Sequence, residues 1–419
     1  MKQAQNTADW RNVKLKEVCH EITVGHVGPM VSEYVDQGIP FLRSQNIEPF
    51  RLNRSDIKFI SNEFHAKLKK SALRPGDVVV VRTGYPGTAS VIPIYLPVAN
   101  CADLVILRPS HEMNARFLVS IFNSTWGRGT VAGNLVGVAQ QHFNIGAAKE
   151  MVIRLPSITS QQKIVAILSA YDDLIENNLR RIKILEEMAQ NLYREWFVKL
   201  RFPGHQHVRF TDSPLGRIPE GWVVMPLGKL VELRKDKFNE KLHSGCPLLD
   251  LAKMQSRTLF VGDTGSPDEL TTSRIIFEEG DILFGSIRPY LHKVALAPCC
   301  GVTNVSVLVI RPAEKSLQSF LAVLLSSIDT IRWADQHSTG TKMPVIKWEA
   351  FKAMPVPMPS QPVLCAFEAS VQPMLQAIKM ASSRNQNLRH TRDLLLPRLI
   401  SGELDVSALD ITAPEEASA

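Results

Sequence analysis

Between Thr159 and Phe202 apolar residues recur three and four positions apart, at Ile164, Ile167, Leu168, Tyr171, Leu174, Ile175, Ile182, Leu185, Met188, Leu192 and Trp196. That spacing lays one apolar stripe along an amphipathic helix. Thr159 with Gln162 predicts a capping box at its start, and Pro203 with Gly204 predicts its stop. About forty residues at about 1.5 Å each make a rod of about 60 Å. A second stretch of the same kind runs over 360–399. Shifting the chain by 203 positions lays Leu185 on Leu388, Leu192 on Leu395, Ile175 on Ile378, and Leu155-Pro156 on Met358-Pro359. The chain therefore reads as an internal duplication. Two stripes are most economically buried against each other, antiparallel about a pseudo-twofold axis. Asn178 and Asn385 interrupt the stripes, either as tolerated polar positions or to fix the helix register.

Upstream of each helix the period changes to short apolar runs separated by turn residues, which predicts strands. In the first copy these are IPFLRSQNI (39–47), GDVVVVRTG (76–84), ASVIPIY (89–95) and DLVILRP (103–109). A helix is expected over Asn114–Trp126, followed by a Gly-rich polar loop at 127–142. The second copy repeats the order with CPLLDLAKM (246–254), GDILFGSIRPY (280–290), VSVLVIRP (305–312) and STGTKMPVIKW (338–348). Gly76-Asp77 returns as Gly280-Asp281, and Arg108-Pro109 as Arg311-Pro312. By contrast Arg43 faces Asp250 and Asn46 faces Lys253. The expected fold is α+β: two similar globular domains separated by a pair of long antiparallel coiled-coil helices. The expected boundaries are 1–155 and 222–358 for the domains, 156–202 and 359–405 for the helices, and 203–221 for a linker. A disordered tail is expected at 406–419.

The chain's 419 residues exceed one ordinary core, and 45% hydrophobic with 21% charged residues describes a globular protein. No run approaches the roughly 20 apolar residues of a membrane span, and MKQAQNTADW lacks the apolar centre of a signal peptide, so the cytoplasm is the expected compartment. The six cysteines show no CxxC spacing, which argues against a disulfide framework or zinc site. A net charge of +7 favours a polyanionic partner. Most of the excess precedes Pro156, where 18 Lys and Arg face 12 Asp and Glu. No Walker loop, Rossmann GxGxxG, HExxH, GxSxG or NPPY-type motif is present, and His205 with His207 has no adjacent ligand partner. These absences point to a binding protein with neither catalytic residues nor a metal.

At this point the segments RLPSITSQQKIVAILSAYDDLIENNLRRIKILEEMAQNLYREWF (154–197) and LRHTRDLLLPRLISGEL (388–404), with the duplicated order around them, carry a resemblance. The chain resembles the specificity subunits of type I restriction-modification systems over about residues 10–405. The second helix departs from the first in opening SQPVLCAFEASV, without the Gln161-Gln162 pair. The resemblance implies a non-catalytic subunit whose two target recognition domains read the halves of a bipartite, asymmetric DNA site across a fixed gap. It also implies two methylation subunits supplying S-adenosylmethionine for adenine modification, and restriction subunits supplying ATP and Mg chemistry. A rod of about 60 Å exceeds one DNA turn of about 34 Å, which suits two separated half-sites. Two other readings stay open: a self-sufficient DNA-modifying enzyme with an unrecognised site, and a coiled-coil protein scaffold.

Base reading needs side chains that hydrogen-bond base edges, typically Arg or Lys to guanine and Asn or Gln to adenine. Polar turns of the first domain offer Arg43, Gln45 and Asn46, then Arg82, Thr83 and Tyr85, then Gln140, Gln141 and His142. The second domain offers Lys253, Gln255 and Arg257, then Ser286, Arg288 and Tyr290, then Thr341 and Lys342. Any one of them could instead cap a turn or touch a phosphate. Arg108 and Arg311, identical in both copies, suggest a shared structural or phosphate role. The aromatic cluster Tyr193, Trp196 and Phe197 exceeds what one helix seam requires and is the expected docking surface for a methylation subunit.

Overall fold

The computed structural model describes residues 10–411 apart from 136–141, 240–242, 244, 263 and 271–272. It divides into two units, residues 1–173 with 389–419 and residues 174–388.

In the first unit the runs become strands, and their register explains the unbroken VVVV. Strand Val78–Val81 lies between Ala89–Val91 and Leu104–Pro109, and Cys19–Val24 completes an antiparallel sheet of four. Side chains alternate across a strand. Val78 and Val80 enter one core with Val105, Leu107, Phe117 and Phe122, while Val79 and Val81 enter another with Leu104 and Ile106. Both faces are covered, so the strand has no polar side. A second sheet runs Tyr34–Val35, Lys58–Ile60, Ile39–Leu42, Ala99–Cys101, Ala72–Leu73, with one parallel pair between Ile39–Leu42 and Ala99–Cys101. Arg11–Lys14 pairs with Val152–Leu155 and closes the unit at its chain ends.

The second unit repeats this plan. Val231–Arg234, Val307–Pro312, Ile282–Gly285 and Val294–Leu296 form a four-stranded antiparallel sheet whose order matches the first, strand for equivalent strand. Val223–Pro226 with Pro355–Met358 reproduces the closing pair. Helices Gln318–Leu325 and Ile328–Gln336 stand where the first unit has Ala115–Asn123 and Thr125–Gly133. The fold is α+β and internally duplicated.

The recurring Gly-Asp and Arg-Pro pairs are one device. Gly76 and Gly280 sit at φ 86° and 89°, a backbone region that glycine enters without steric cost. The aspartate that follows is buried and closes the turn by accepting an N–H, from Arg74 onto Asp77 and from Glu278 onto Asp281. Arg311 binds Asp281 through two bonds of 2.7 and 2.9 Å, whereas Arg108 approaches Asp77 at 3.5 Å and also bonds Glu21 and the Ala72 carbonyl. In both copies the shared arginine ties this turn to neighbouring groups of its own unit.

The first long helix spans Ile158–Tyr193, continues as a π-helical turn over Arg194–Val198, and the second spans Gln361–Ile400. In each unit the two run in opposite directions. Arg392 bonds Asp172 and Lys163 bonds the Ser407 carbonyl in the first; Asn178 donates to Asn385 at 2.8 Å and Phe197 meets Phe367 in the second. Not every stripe position is buried, since Leu174 and Met188 are half exposed.

Four local expectations change. Ser157, not Thr159, caps the first helix through the Ser160 N–H, and Gln161 is instead buried, bonded to the Asn114 N–H and to the Glu112 and Pro156 carbonyls. Leu364 stands at the equivalent place, and Glu368 one turn later accepts the Ser319 and Phe320 N–H groups. Half of the expected Gly-rich loop is helix, because the Ser124 hydroxyl accepts the Gly127 N–H and starts Thr125–Gly133. Within 203–221, Phe210–Ser213 and Gly216–Pro219 form a hairpin with Ile218 buried. Of the expected tail, residues 406–411 are described, with Val406 buried in the first unit's core.

Candidate nucleic-acid interface

Each unit brings the turn after its central strand against the loop that follows its paired helices. In the first, the Phe143 N–H donates to the Arg82 carbonyl at 3.2 Å, and Arg82 Nε returns a bond to the Phe143 carbonyl at 3.1 Å. In the second, the Ile346 N–H donates to the Ser286 carbonyl, the Arg288 N–H to the Pro344 carbonyl, and the Arg288 guanidinium reaches the Lys342 carbonyl at 3.5 Å. Two of the three sequence clusters thus meet in both copies: Arg82, Thr83 and Tyr85 with His142, and Ser286, Arg288 and Tyr290 with Thr341 and Lys342. Gln140 and Gln141 lie outside the described residues.

The side chains differ in how free they are. Tyr85 is 84% exposed and Tyr290 51%, while Arg288, Thr341 and Lys342 are exposed. Arg82 is anchored, its guanidinium on Asp103 at 2.8 Å, and the Thr83 hydroxyl bonds the other oxygen of that carboxylate at 3.0 Å. His142 is half-buried. Ser286 is a correction: its hydroxyl is spent on the Ser306 carbonyl and the residue is buried, so it holds the turn and presents nothing to a ligand.

The remaining cluster lies on separate loops. Asn46 is fully buried, accepting the Arg43 N–H and donating to the Asn53 and Ser55 carbonyls, so it too is a framework residue. Arg43 and exposed Gln45 both bond Asp56. Lys58 and then Arg43 beside Asp56 hold its carboxyl down to about 2. In the second unit Lys253 pairs with Glu269 at 3.2 Å, while Gln255 and Arg257 are exposed. The Arg257 N–H donates to the His292 carbonyl, which ties this loop to the Arg288–His292 turn.

Sequence reasoning missed the carboxylates that aim these cations. Asp56 and Asp103 both sit at φ 53°. Aspartate is one of the few residues that tolerates this region, so an Asp closing a polar turn was the available signal.

Tyr193, Trp196 and Phe197 do not form a docking surface. All three are buried in the second unit's core, where Phe197 meets Phe320 at 5.0 Å and Phe367 at 4.8 Å, and Trp196 meets Phe367 at 5.8 Å between ring centroids. The excess of aromatics beyond the helix seam fills the space against the globular part of the unit. Among the described residues no group of three His, Cys, Asp or Glu could hold a metal, and no helix is long and apolar enough to cross a membrane.

A family model for the type I restriction modification DNA specificity domain matches residues 7–187. The MjaVIII type I restriction enzyme specificity subunit of Methanocaldococcus jannaschii is 22% identical over 421 aligned positions, covering 96% of this chain and 94% of that one. The chain is thus similar to type I restriction-modification specificity subunits along almost its whole length. The MjaIX specificity subunit of the same organism is 26% identical over 275 positions, and the match spans 62% of each chain. The crystal structure of the type I S subunit from M. genitalium shares the family fold, with a TM-score of 0.57 at 13% identity over 95% of this chain and 98% of that one.

Proposed function

We propose that this chain is the DNA-specificity subunit of a type I restriction-modification complex, itself non-catalytic, acting in the cytoplasm. Each unit reads one half of a bipartite, asymmetric site, and an unread gap of fixed length separates the halves. Two methylation subunits bring S-adenosylmethionine for adenine modification, and restriction subunits bring ATP and Mg. The observation that carries this reading is the repeated meeting of strand turn and post-helix loop on one scaffold with unlike exposed side chains. Tyr85 with Arg82 in one copy, and Tyr290, Arg288 and Lys342 in the other, offer different hydrogen-bonding sets to a duplex. Neutralising phosphates is compatible with the basic excess, and DNA affinity should then fall steeply with salt.

The test is co-expression with the cognate methylation subunit and mapping of modified adenines across genomic DNA. A bipartite motif that appears only when both chains are present supports the reading. Methylation that persists without this chain refutes it. DNA modification by the purified chain alone would favour a self-sufficient enzyme, and salt-insensitive or absent DNA binding by the complex would favour a scaffold.

A further inference from the structure

The first unit carries a basic element that belongs to none of the reading loops. Helix Asn62–Lys67 is capped by the Ser61 hydroxyl, which accepts the Phe64 N–H at 3.0 Å, and a 3-10 turn Lys69–Ser71 follows it. Lys67, Lys69 and Lys70 are all exposed, and none forms an ion pair among the described residues. Several other cations of the first unit are already engaged: Lys14 and Lys16 with Glu150, Arg43 and Lys58 with Asp56, Arg82 with Asp103. The backbone under the lysines is pinned from below. Asn100, fully buried in its strand, donates to the Leu68 carbonyl at 3.1 Å and contacts the His65 ring at 3.2 Å.

Contacts also connect this element to the candidate reading turn. The Phe64 ring packs edge-on against His26, with centroids 5.9 Å apart. The His26 carbonyl accepts the Asp103 N–H, and the Asp103 carboxylate holds Arg82 and Thr83. The helix that carries Lys67 is thus joined through His26 and Asp103 to the turn that carries Tyr85.

The duplication supplies the comparison. The segment from Ser61 to Gly76-Asp77 corresponds to the one from Ser266 to Gly280-Asp281, and Ser266 likewise caps a short helix, Pro267–Glu269. The same capped element there reads SPDELTTSR, with Asp268 and Glu269 and no lysine. The capped scaffold is kept while its net charge changes sign, from Glu63 with three lysines to Asp268 and Glu269 with Arg274, whose guanidinium lies over Phe238 and bonds the Leu270 carbonyl, so the lysines are not needed to build the turn. We infer that Lys67, Lys69 and Lys70 form a phosphate-binding patch, which grips the DNA backbone beside the half-site read by the first unit and has no equivalent in the second. This inference rests on the DNA-specificity reading above.

Each phosphate neutralised on duplex DNA contributes about 0.9 to the slope of log affinity against log salt. Three lysines therefore account for a slope of about 2 to 3. At about 0.1 M salt each such contact is worth up to about eight-fold, so losing all three should weaken binding by about 10-fold to several hundred-fold. The experiment compares the complex of the full chain and its methylation subunits with the Lys67→Gln/Lys69→Gln/Lys70→Gln variant, on duplexes carrying the mapped site. Anisotropy titrations over about 50 to 200 mM salt give the slope, and ethylation interference locates the phosphates. The expected result is a slope smaller by about 2 to 3, unchanged sequence preference, and loss of interference beside one half-site only. The matching lysine-to-arginine variant should retain the wild-type slope. An unchanged slope, or an altered sequence preference at constant slope, overturns the patch and leaves the specificity reading intact. A wild-type complex without salt-dependent DNA binding removes both.

Discussion

Replacing Trp196 by alanine tests whether the aromatic cluster is core or docking surface. Trp196 is 9% exposed and lies in the π-helical turn Arg194–Val198, packed against Phe197 and Phe367. An aromatic side chain of this kind removes about 150–250 Å² from water, worth about 4–6 kcal/mol at about 25 cal/mol per Å². The surrounding rings relax only in part, and measured truncations of buried aromatics cost about 3–5 kcal/mol. For a unit of about 200 residues that loss corresponds to roughly 6–20 °C in Tm. The assay is urea denaturation followed by tryptophan fluorescence, with Trp222, Trp333 and Trp348 reporting the same unit. Association with the methylation subunit is measured in parallel, below the variant's unfolding range. The expected result is a midpoint shift of the stated size, with association preserved wherever the unit remains folded. A shift below about 1 kcal/mol together with lost association would refute the burial argument, since only a side chain facing a partner behaves that way.

The duplicated Asp and Arg pair predicts unequal coupling. In double-mutant cycles to alanine, Asp281 with Arg311, joined by two short bonds, should couple more strongly than Asp77 with Arg108, which meet once at 3.5 Å. Breaking the second-unit pair should cost about 3–5 kcal/mol because Asp281 is buried, and equal coupling in the two copies would refute the comparison. Burial raises the Glu186 carboxyl above its ordinary range, against the Thr258 hydroxyl and the Leu259 and Phe260 N–H groups that favour its charged form. The folded state then binds a proton that the unfolded chain releases near about 4.3. That contribution to stability is present at acid pH and is lost as pH rises through the higher folded value. Glu186→Gln keeps an acceptor, so denaturation at pH 5 and pH 7 should show a flatter dependence than the wild type, and an unchanged slope would refute the assignment. Burial pushes the Cys19 thiol up to about 12 and raises that of Cys101. Native thiol titration should label Cys246, Cys299, Cys300 and Cys365 but neither of those two, and mass spectrometry would identify a failure directly.

Periodicity was enough to read both long helices and the duplicated strand order, because those elements bury faces set by positions along the chain. The four-valine run was legible as a strand, although only the register reveals that both its faces are covered. Helix ends were less legible. Ser157 and Thr159 are both plausible caps, and the choice fell to Gln161, whose amide is bonded to Glu112, Asn114 and Pro156 and fixes the chain's entry. Side-chain direction was the least legible. Asn46 and Ser286 occupy polar turns and look like readers, yet each is consumed by backbone groups that would otherwise go unpaired. The aromatics of 193–197 failed for a related reason. A stripe counted on a single helix cannot show how much globular core will pack against it.

The same distinction separates framework from surface in the two copies. Pairings that recur are interior ones whose loss costs the fold: the Gly-Asp turn, the arginine on its aspartate, and the closing strand pair. Several positions that diverge face solvent, including Thr83 beside Tyr85 against Arg288 beside Tyr290, and the lysines of 67–70 against the acidic turn at 268–269, while Gln161 against Leu364 diverges in the interior. In Arg82 the two roles overlap, because Asp103 and the Phe143 carbonyl fix a cation that still borders the exposed Tyr85 turn. A cation held in this way loses little rotamer freedom on meeting a base or phosphate, so its contact costs less entropy than that of a free lysine. If the first unit reads DNA as proposed, Arg82 suits geometric reading of a base or phosphate, and the lysines of 67–70 suit backbone grip by charge alone.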